Sequence, residues 1–320
     1  MLQRLSHCCP ALCFSMLFTM AEPLPEKLPE GDAGIAARHR EDGGISKDPA
    51  VLFADNFDDC GSAGELGKKW DYVHHPDHIG LEVETPEKRV GAKSLRCTVP
   101  AGQEVSVALG KKLPVEQDRL FFRFSIKFDG RFDAAGARSC HNGATVGAHY
   151  FRDGHASAGQ RADGKNKFLV NFECESVYSG AGVPMPGKWN FYCYHPAQRD
   201  DYGDHIFPSG LVMPDTSVKA DFGPSFVRRP ELVPEPGRWY GAEFMVQANT
   251  PGKKDGRMAA WIDGKLLCDF PDLRLRDVET LKMDYVGLGL YLAGPTKQAN
   301  AVHYDDVVIA KSYIGPLKRD

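Results

Sequence analysis

Apolar residues in this chain fall on every second position over short segments. In LFFRFSIKF, Leu120, Phe122, Phe124, Ile126 and Phe128 alternate with Phe121, Arg123, Ser125 and Lys127. Successive side chains of a strand point to opposite faces, so the segment reads as a strand with one face in a core. NFECESVYSG sets Phe172 and Cys174 against Asn171, Glu173 and Glu175. KWNFYCYHPAQ sets Trp189, Phe191 and Cys193 against Asn190, Tyr192 and Tyr194. GRWYGAEFMVQAN sets Tyr240, Ala242, Phe244 and Val246 against Trp239, Glu243, Met245 and Gln247. GRMAAWIDGKLLCDF reads as a hairpin turning at Asp263-Gly264. SLRCTV, VSVAL, VGLGLYLAG and VHYDDVVIAKSYIG supply further strands, and no long helix is predicted. Many one-sided strands with regular turns predict an all-β fold: a two-sheet antiparallel β-sandwich or jelly roll.

The alternation begins only near residue 49, and the sandwich domain is placed at 49–320. Before it, Arg4 precedes an apolar run from Cys8 to Met20 that is too short to span a bilayer. Thr19-Met20-Ala21 offers small residues for cleavage, so residues 1–21 read as a secretory signal cut after Ala21. The mature chain is then expected to be secreted or periplasmic. Residues 22–48, rich in Pro, Glu and Gly, read as a flexible leader. No later stretch reads as a membrane span. Residues 195–235 carry little periodicity and read as a long binding loop or lid.

Composition narrows the partners. A net charge of -4 gives no basis for nucleic acid or an anionic membrane. Once Cys8, Cys9 and Cys13 leave with the signal, Cys60, Cys97, Cys140, Cys174, Cys193 and Cys268 remain, an even set that an exported protein can pair as disulfides. Cys174 and Cys193, on apolar faces of neighbouring strands, either bridge or pack as small hydrophobes.

PGRWYGAEFMVQANTPGKKDGRMAAWIDGKLL is similar to the C-terminal half of concanavalin A-like jelly rolls of polysaccharide lyase family 14, the alginate and glucuronan lyase type. NAVHYDDVVIA resembles that fold's last strand, which returns beside the first, and FYCYHPAQRDDYGD resembles its Tyr-x-Tyr strand and His-Pro loop. The resemblance spans about residues 51–315. It implies a concave sheet that binds an acidic, uronic-acid polysaccharide and cleaves it by β-elimination without a cofactor. It matches Tyr192 and Tyr194 to the tyrosine strand. Arg138, in DAAGARSCH, stands where the family places a lysine, and KFLVNFECE stands where it has an arginine-bearing strand.

Elimination at a uronate needs a group to neutralise the carboxylate, a base for the C5 proton and an acid for the leaving oxygen. Tyr192 and Tyr194 are the acid and base candidates, Arg138 is a cation for the carboxylate, and Asn171 is a hydrogen-bond donor to it. Arg123, Lys127 and Lys167 are further cations. Glu173, Glu175, Asn190, His195, Trp239, Gln247 and Tyr291 complete the expected groove lining, with Trp239 as a stacking platform. Two other readings stay open: a non-catalytic carbohydrate-binding or adhesion domain, and a glycoside hydrolase built on Glu173 and Glu175. At the chain ends, Asp55 and Asp58 with Asp305 and Asp306 are candidate oxygen ligands for a structural Ca²⁺. The sequence sets neither the glycan nor the oligomeric state.

Overall fold

The computed structural model describes residues 27–83, 93–217 and 221–318. The signal predicted over 1–21 lies outside the described residues. Two antiparallel sheets carry the fold. The back sheet runs in the order Lys265–Leu273, Gly256–Ile262, Tyr240–Gln247, Arg119–Phe128, Asn300–Ala310, Lys93–Val99 and Ile79–Val83, with Val51–Asp55 also paired to Asn300–Ala310. The front sheet runs Val212–Met213, Asp204–Ile206, Lys188–Tyr194, Phe168–Glu175, Ala144–Ala148, Met283–Ala293, Val105–Gln117 and Tyr72–His74, with Ser139–His141 also paired to Met283–Ala293. The first and last strands are thus neighbours, as the jelly-roll expectation requires.

The alternation seen in the sequence decides what lies between the sheets. Leu120, Phe122, Phe124, Ile126 and Phe128 are fully buried there, with Phe172, Trp189, Phe191, Phe244 and Val246. Phe172 stacks on Trp189 with centroids 4.7 Å apart and reaches Phe244 of the back sheet at 5.9 Å. Each such side chain contributes about 1.5–3 kcal/mol of burial. The disulfide expectation is corrected: all six cysteines are free and buried. Cys174 lies opposite Trp189, and Cys193 opposite Val170, so the two thiols are offset along their strands. Burial raises these thiols, Cys97 to about 12, and keeps them protonated and unreactive.

Residues 27–48 of the expected leader lie within the described residues. Leu28, Ile35, Ala36 and Ile45 pack against Phe121, Met245, Ala259, Trp261, Val308, Ala310, Tyr313 and Ile314 on the outer face of the back sheet. Backbone bonds run from Ile35 N to Tyr313 O and from Ala36 N to Ile314 O. At Gly34 a Cβ would stand 2.2 Å from the Ile314 carbonyl oxygen, so only glycine permits this approach. Arg123, almost wholly buried, is paired with Asp42 of the leader, and the Glu243 carboxylate accepts the Ile314 and Gly315 N–H groups at 2.8 Å each. Four well-spaced apolar residues were too few to signal a packed segment, yet together they cover the sheet.

This face also takes four of the expected groove residues. Arg123, Lys127, Trp239 and Gln247 belong to or flank back-sheet strands and point away from the core, hence away from the front sheet. Lys127 Nζ lies 4.8 Å from the Trp239 ring centroid. The four candidate calcium ligands are likewise bound elsewhere. Asp55 accepts Lys69 Nζ at 2.9 Å and Trp70 Nε1 at 2.8 Å, Asp58 accepts the Lys93 N–H, Asp305 accepts the Asp306 N–H, and Asp306 accepts the Ser125 hydroxyl. Among the described residues they form no cluster of close ligand atoms. The segment 195–235 is not wholly irregular: Asp204–Ile206 and Val212–Met213 extend the front sheet, and Phe222 and Phe226 pack on Phe270.

Candidate active-site groove

The outer face of the front sheet is hollow. A groove of about 780 Å³ runs across it, lined by Arg138, Ser139, His141, Asn171, Tyr192, His205 and Tyr291 among others. Parity places these side chains. On Phe168–Glu175, Phe172 and Cys174 enter the core, so Asn171, Glu173 and Glu175 face the groove side. On Lys188–Tyr194, Asn190, Tyr192 and Tyr194 do the same. On Ser139–His141, Cys140 is in the core, which turns Ser139 and His141 outward. Gly143, with φ +74, follows them; a Cβ there would meet the Phe172 carbonyl oxygen at 2.1 Å, so this bend admits glycine only.

His141 and Glu173 form the centre. The His141 Nδ1 atom lies 3.1 Å from Glu173 Oε2, and its Nε2 lies 2.9 Å from Ser139 Oγ. Burial alone would lower the imidazole pKa; the Glu173 carboxylate more than offsets this and raises it. Asn171 donates to Glu173 and to the Asn142 carbonyl, while its own oxygen accepts the Thr145 hydroxyl at 2.6 Å. Its amide is therefore committed to holding Glu173, not to a ligand's carboxylate. The Tyr192 ring lies between two histidine rings, 4.5 Å from His141 and 4.7 Å from His205. Its hydroxyl accepts the Gly203 N–H at 3.2 Å and lies 3.5 Å from the Tyr194 hydroxyl. Burial, then Tyr194, raises the Tyr192 phenol, which stays protonated.

Other expected residues sit behind or beside the groove. Tyr194 is fully buried, with the Tyr150 ring 5.0 Å away and Lys167 Nζ over its own ring at 5.2 Å; it does not line the groove and supports Tyr192 from behind. Lys167 donates to Ser157 and borders a separate cavity of about 180 Å³. His195 is paired with Asp204 at 3.1 Å, outside the groove lining. Arg138 and Tyr291 do line it, and both bind Glu104, at 3.0 and 3.1 Å. Arg138 is the one lysine or arginine in that lining among the described residues.

Glu173 and Glu175 are wholly buried beneath the floor, and neither lines the groove. A carboxylate pair flanking a scissile bond, as the hydrolase reading needs, is therefore not what they form. Burial and the charge of Glu173 push Glu175 up to about 7. His205, covered by Tyr178 and Tyr192, is lowered well below the usual imidazole range by burial and by His141. Sequence reading missed both histidines. Cys140 entering the core was the signal for His141, since it forces its neighbour outward. His205 lies in a three-residue strand inside a segment without periodicity, and no sequence signal marks it.

The fold is shared with known structures. Alginate lyase Aly36B aligns with TM-score 0.58 at 14% identity, covering 83% of this chain and 98% of that one. The marine PL-14 alginate lyase from Aplysia kurodai aligns at 0.55 and 14%, covering 82% and 99%. Endo-β-1,4-glucuronan lyase from the fungus Trichoderma reesei aligns at 0.51 and 13%, covering 82% and 96%. A variant of Aly36B with a lysine and a tyrosine replaced by alanine has been solved with an alginate tetrasaccharide. No protein-family model matches the sequence, and no curated protein is similar to it in sequence. At these identities the likeness establishes the jelly-roll fold.

Proposed function

We propose that this chain is a glycan-active lyase that binds a uronic-acid polysaccharide in the front-sheet groove and cleaves it by β-elimination. The observation that carries the reading is His141 and Tyr192 on the floor of an open groove, with Glu173 buried beneath and bonded to His141. Glu173 orients His141 and stabilises the imidazolium that forms when His141 takes the C5 proton. The C4–O bond breaks as the C4–C5 double bond forms, and the Tyr192 phenol, kept protonated, gives its proton to the leaving oxygen. Arg138 at the rim is available to meet the uronate carboxylate; it is half of an exposed pair with Glu104. Such a pair is held weakly, so exchanging Glu104 for a substrate carboxylate costs little. His141 thus takes the part that the family resemblance gives to the lysine, three positions beyond Arg138. The neighbouring alginate and glucuronan lyases support the substrate class. Among the described residues no helix is long and apolar enough to cross a membrane. We place the protein outside the cell on the signal read at 1–21, where such polysaccharides occur.

The hydrogen-bonded order Ser139 Oγ, His141 Nε2, Glu173 is also that of an activated serine nucleophile. Acyl transfer from an esterified glycan is therefore the second reading. One panel decides. Alginate, polyglucuronate, esterified and neutral glycans are incubated with the protein, and ultraviolet absorbance of the unsaturated uronate, reducing ends and released acid are followed. Elimination raises the first two and survives Ser139→Ala. Acyl transfer releases acid and is lost in that variant. A pure binder gives neither signal but is retarded in a glycan affinity gel.

A further inference from the structure

We propose that Glu173, Glu175 and His205 form a site for one divalent transition-metal ion beneath the groove floor. Ligand atoms of these three residues lie within 4.8 Å of one another, the one such group of three among the described residues. All three side chains are buried, with exposures of 0%, 0% and 3%.

Hydrogen bonding fixes what each atom offers. The Asn190 amide nitrogen donates to the carbonyls of Glu173 and Lys188, so its oxygen faces His205 Nδ1, 3.0 Å away, and accepts from it. His205 therefore carries its proton on Nδ1, and the Nε2 lone pair points to Glu175 Oε2 at 3.7 Å. Glu175 Oε1 accepts the N–H groups of Val177 and Tyr178, but Oε2 is buried with no hydrogen-bond partner. An imidazole lone pair and an orphaned carboxylate oxygen thus face each other, too far apart to share a hydrogen bond.

A cation resolves this. Two ligands at about 2.1 Å from a tetrahedral metal stand about 3.4 Å apart, a small closure from the observed 3.7 Å. Glu173 offers the third ligand atom of the group: its Oε1 lies 3.6 Å from His205 Nδ1 and 3.2 Å from His141 Nδ1, and the three ligand atoms lie within 4.8 Å of one another. A ligating histidine ordinarily donates its other ring N–H to a carbonyl or carboxylate, and Asn190 already accepts that proton. One imidazole with two carboxylates suits zinc or manganese better than calcium. The aspartates at the chain ends, expected as calcium ligands, form no group of three close ligand atoms among the described residues. The ion would add positive charge under a groove whose lining holds Glu104 and Asp200 against Arg138, favouring an anionic glycan.

The test reads metal occupancy, so its failure and that of the elimination reading are separable. The full chain is stripped with a chelator, dialysed against Zn²⁺ and analysed for bound metal, with folding checked by circular dichroism. One zinc per chain is expected. Glu175→Gln and His205→Gln should each weaken uptake more than about 100-fold, and Asn190→Ala about 10–100-fold; His149→Gln, on an exposed histidine elsewhere, should not change it. Co²⁺ in place of zinc should give the visible bands of a nitrogen-and-oxygen site without a thiolate charge-transfer band. No stoichiometric uptake (water alone in the gap), unchanged uptake in folded Glu175→Gln and His205→Gln, or a thiolate band would overturn the proposal.

Discussion

The two outward faces of the sandwich are written in the same code and do different things. On the back sheet Arg123 and Glu243 alternate with core residues, and on the front sheet Asn171, Glu173 and Asn190 do so. Both faces bury charge. The back face is sealed by the chain's own leader and C-terminal turn, which supply Asp42 to Arg123 and two backbone N–H groups to Glu243. On the front face neighbouring side chains and the Val177 and Tyr178 N–H groups meet the charges, and His141, Tyr192 and His205 leave a groove above them. The same polar alternation thus yields a covered, buried face where the chain folds over it and an open groove where it does not.

The comparison breaks most sharply through Tyr192. Tyr192→Phe should cut the elimination rate by about 10²–10⁴-fold, the usual worth of a positioned proton donor, while oligosaccharide affinity and thermal midpoint stay near wild type. On the back face, Arg123→Met leaves Asp42 without its cation in a largely buried setting. It should lower unfolding free energy by about 3–5 kcal/mol in urea titrations, with turnover per folded molecule unchanged. Glu243 gives a pH signature. Burial raises its pKa from an unfolded value near 4.5 to about 7, so the folded state holds the extra proton between those limits. Stability is then fully present below about 4.5 and declines as pH rises to about 7, by roughly 3 kcal/mol; Glu243→Gln should remove that part of the pH profile. The smallest effect belongs to Trp239→Ala. It forfeits a contact with Lys127 worth about 0.5–1 kcal/mol and should not alter glycan affinity. A large loss of affinity there would mean that substrate crosses the back face.

Parity carried most of what could be read in advance. Leu120 to Phe128, Phe172 and Cys174, and Trp189 to Cys193 all point inward as a period of two dictates, because one residue of slip would expose the whole core set. Parity does not say which sheet a strand joins. Arg123 and Tyr192 were expected to line one hollow; the pairing of Arg119–Phe128 with Tyr240–Gln247 puts Arg123 in the other sheet. Nor does it say what covers a face. Asp42 and Arg123 meet across 81 positions of sequence, a distance no local pattern spans. The groove histidines sit on strands of three residues, too short for alternation to stand out. The tyrosine strand was legible in the family resemblance, yet only one of its two tyrosines lines the groove, since Tyr194 lies under Tyr150 and Lys167.

The proposed elimination requires His141 as the proton acceptor, and its removal is the sharpest perturbation. Wild type and His141→Gln, matched for folded concentration, are mixed with a uronic-acid polysaccharide and the ultraviolet absorbance of the unsaturated end is followed. Steady product is expected from wild type and almost none from the folded variant. A variant that forms the product at the wild-type rate would contradict that role for His141.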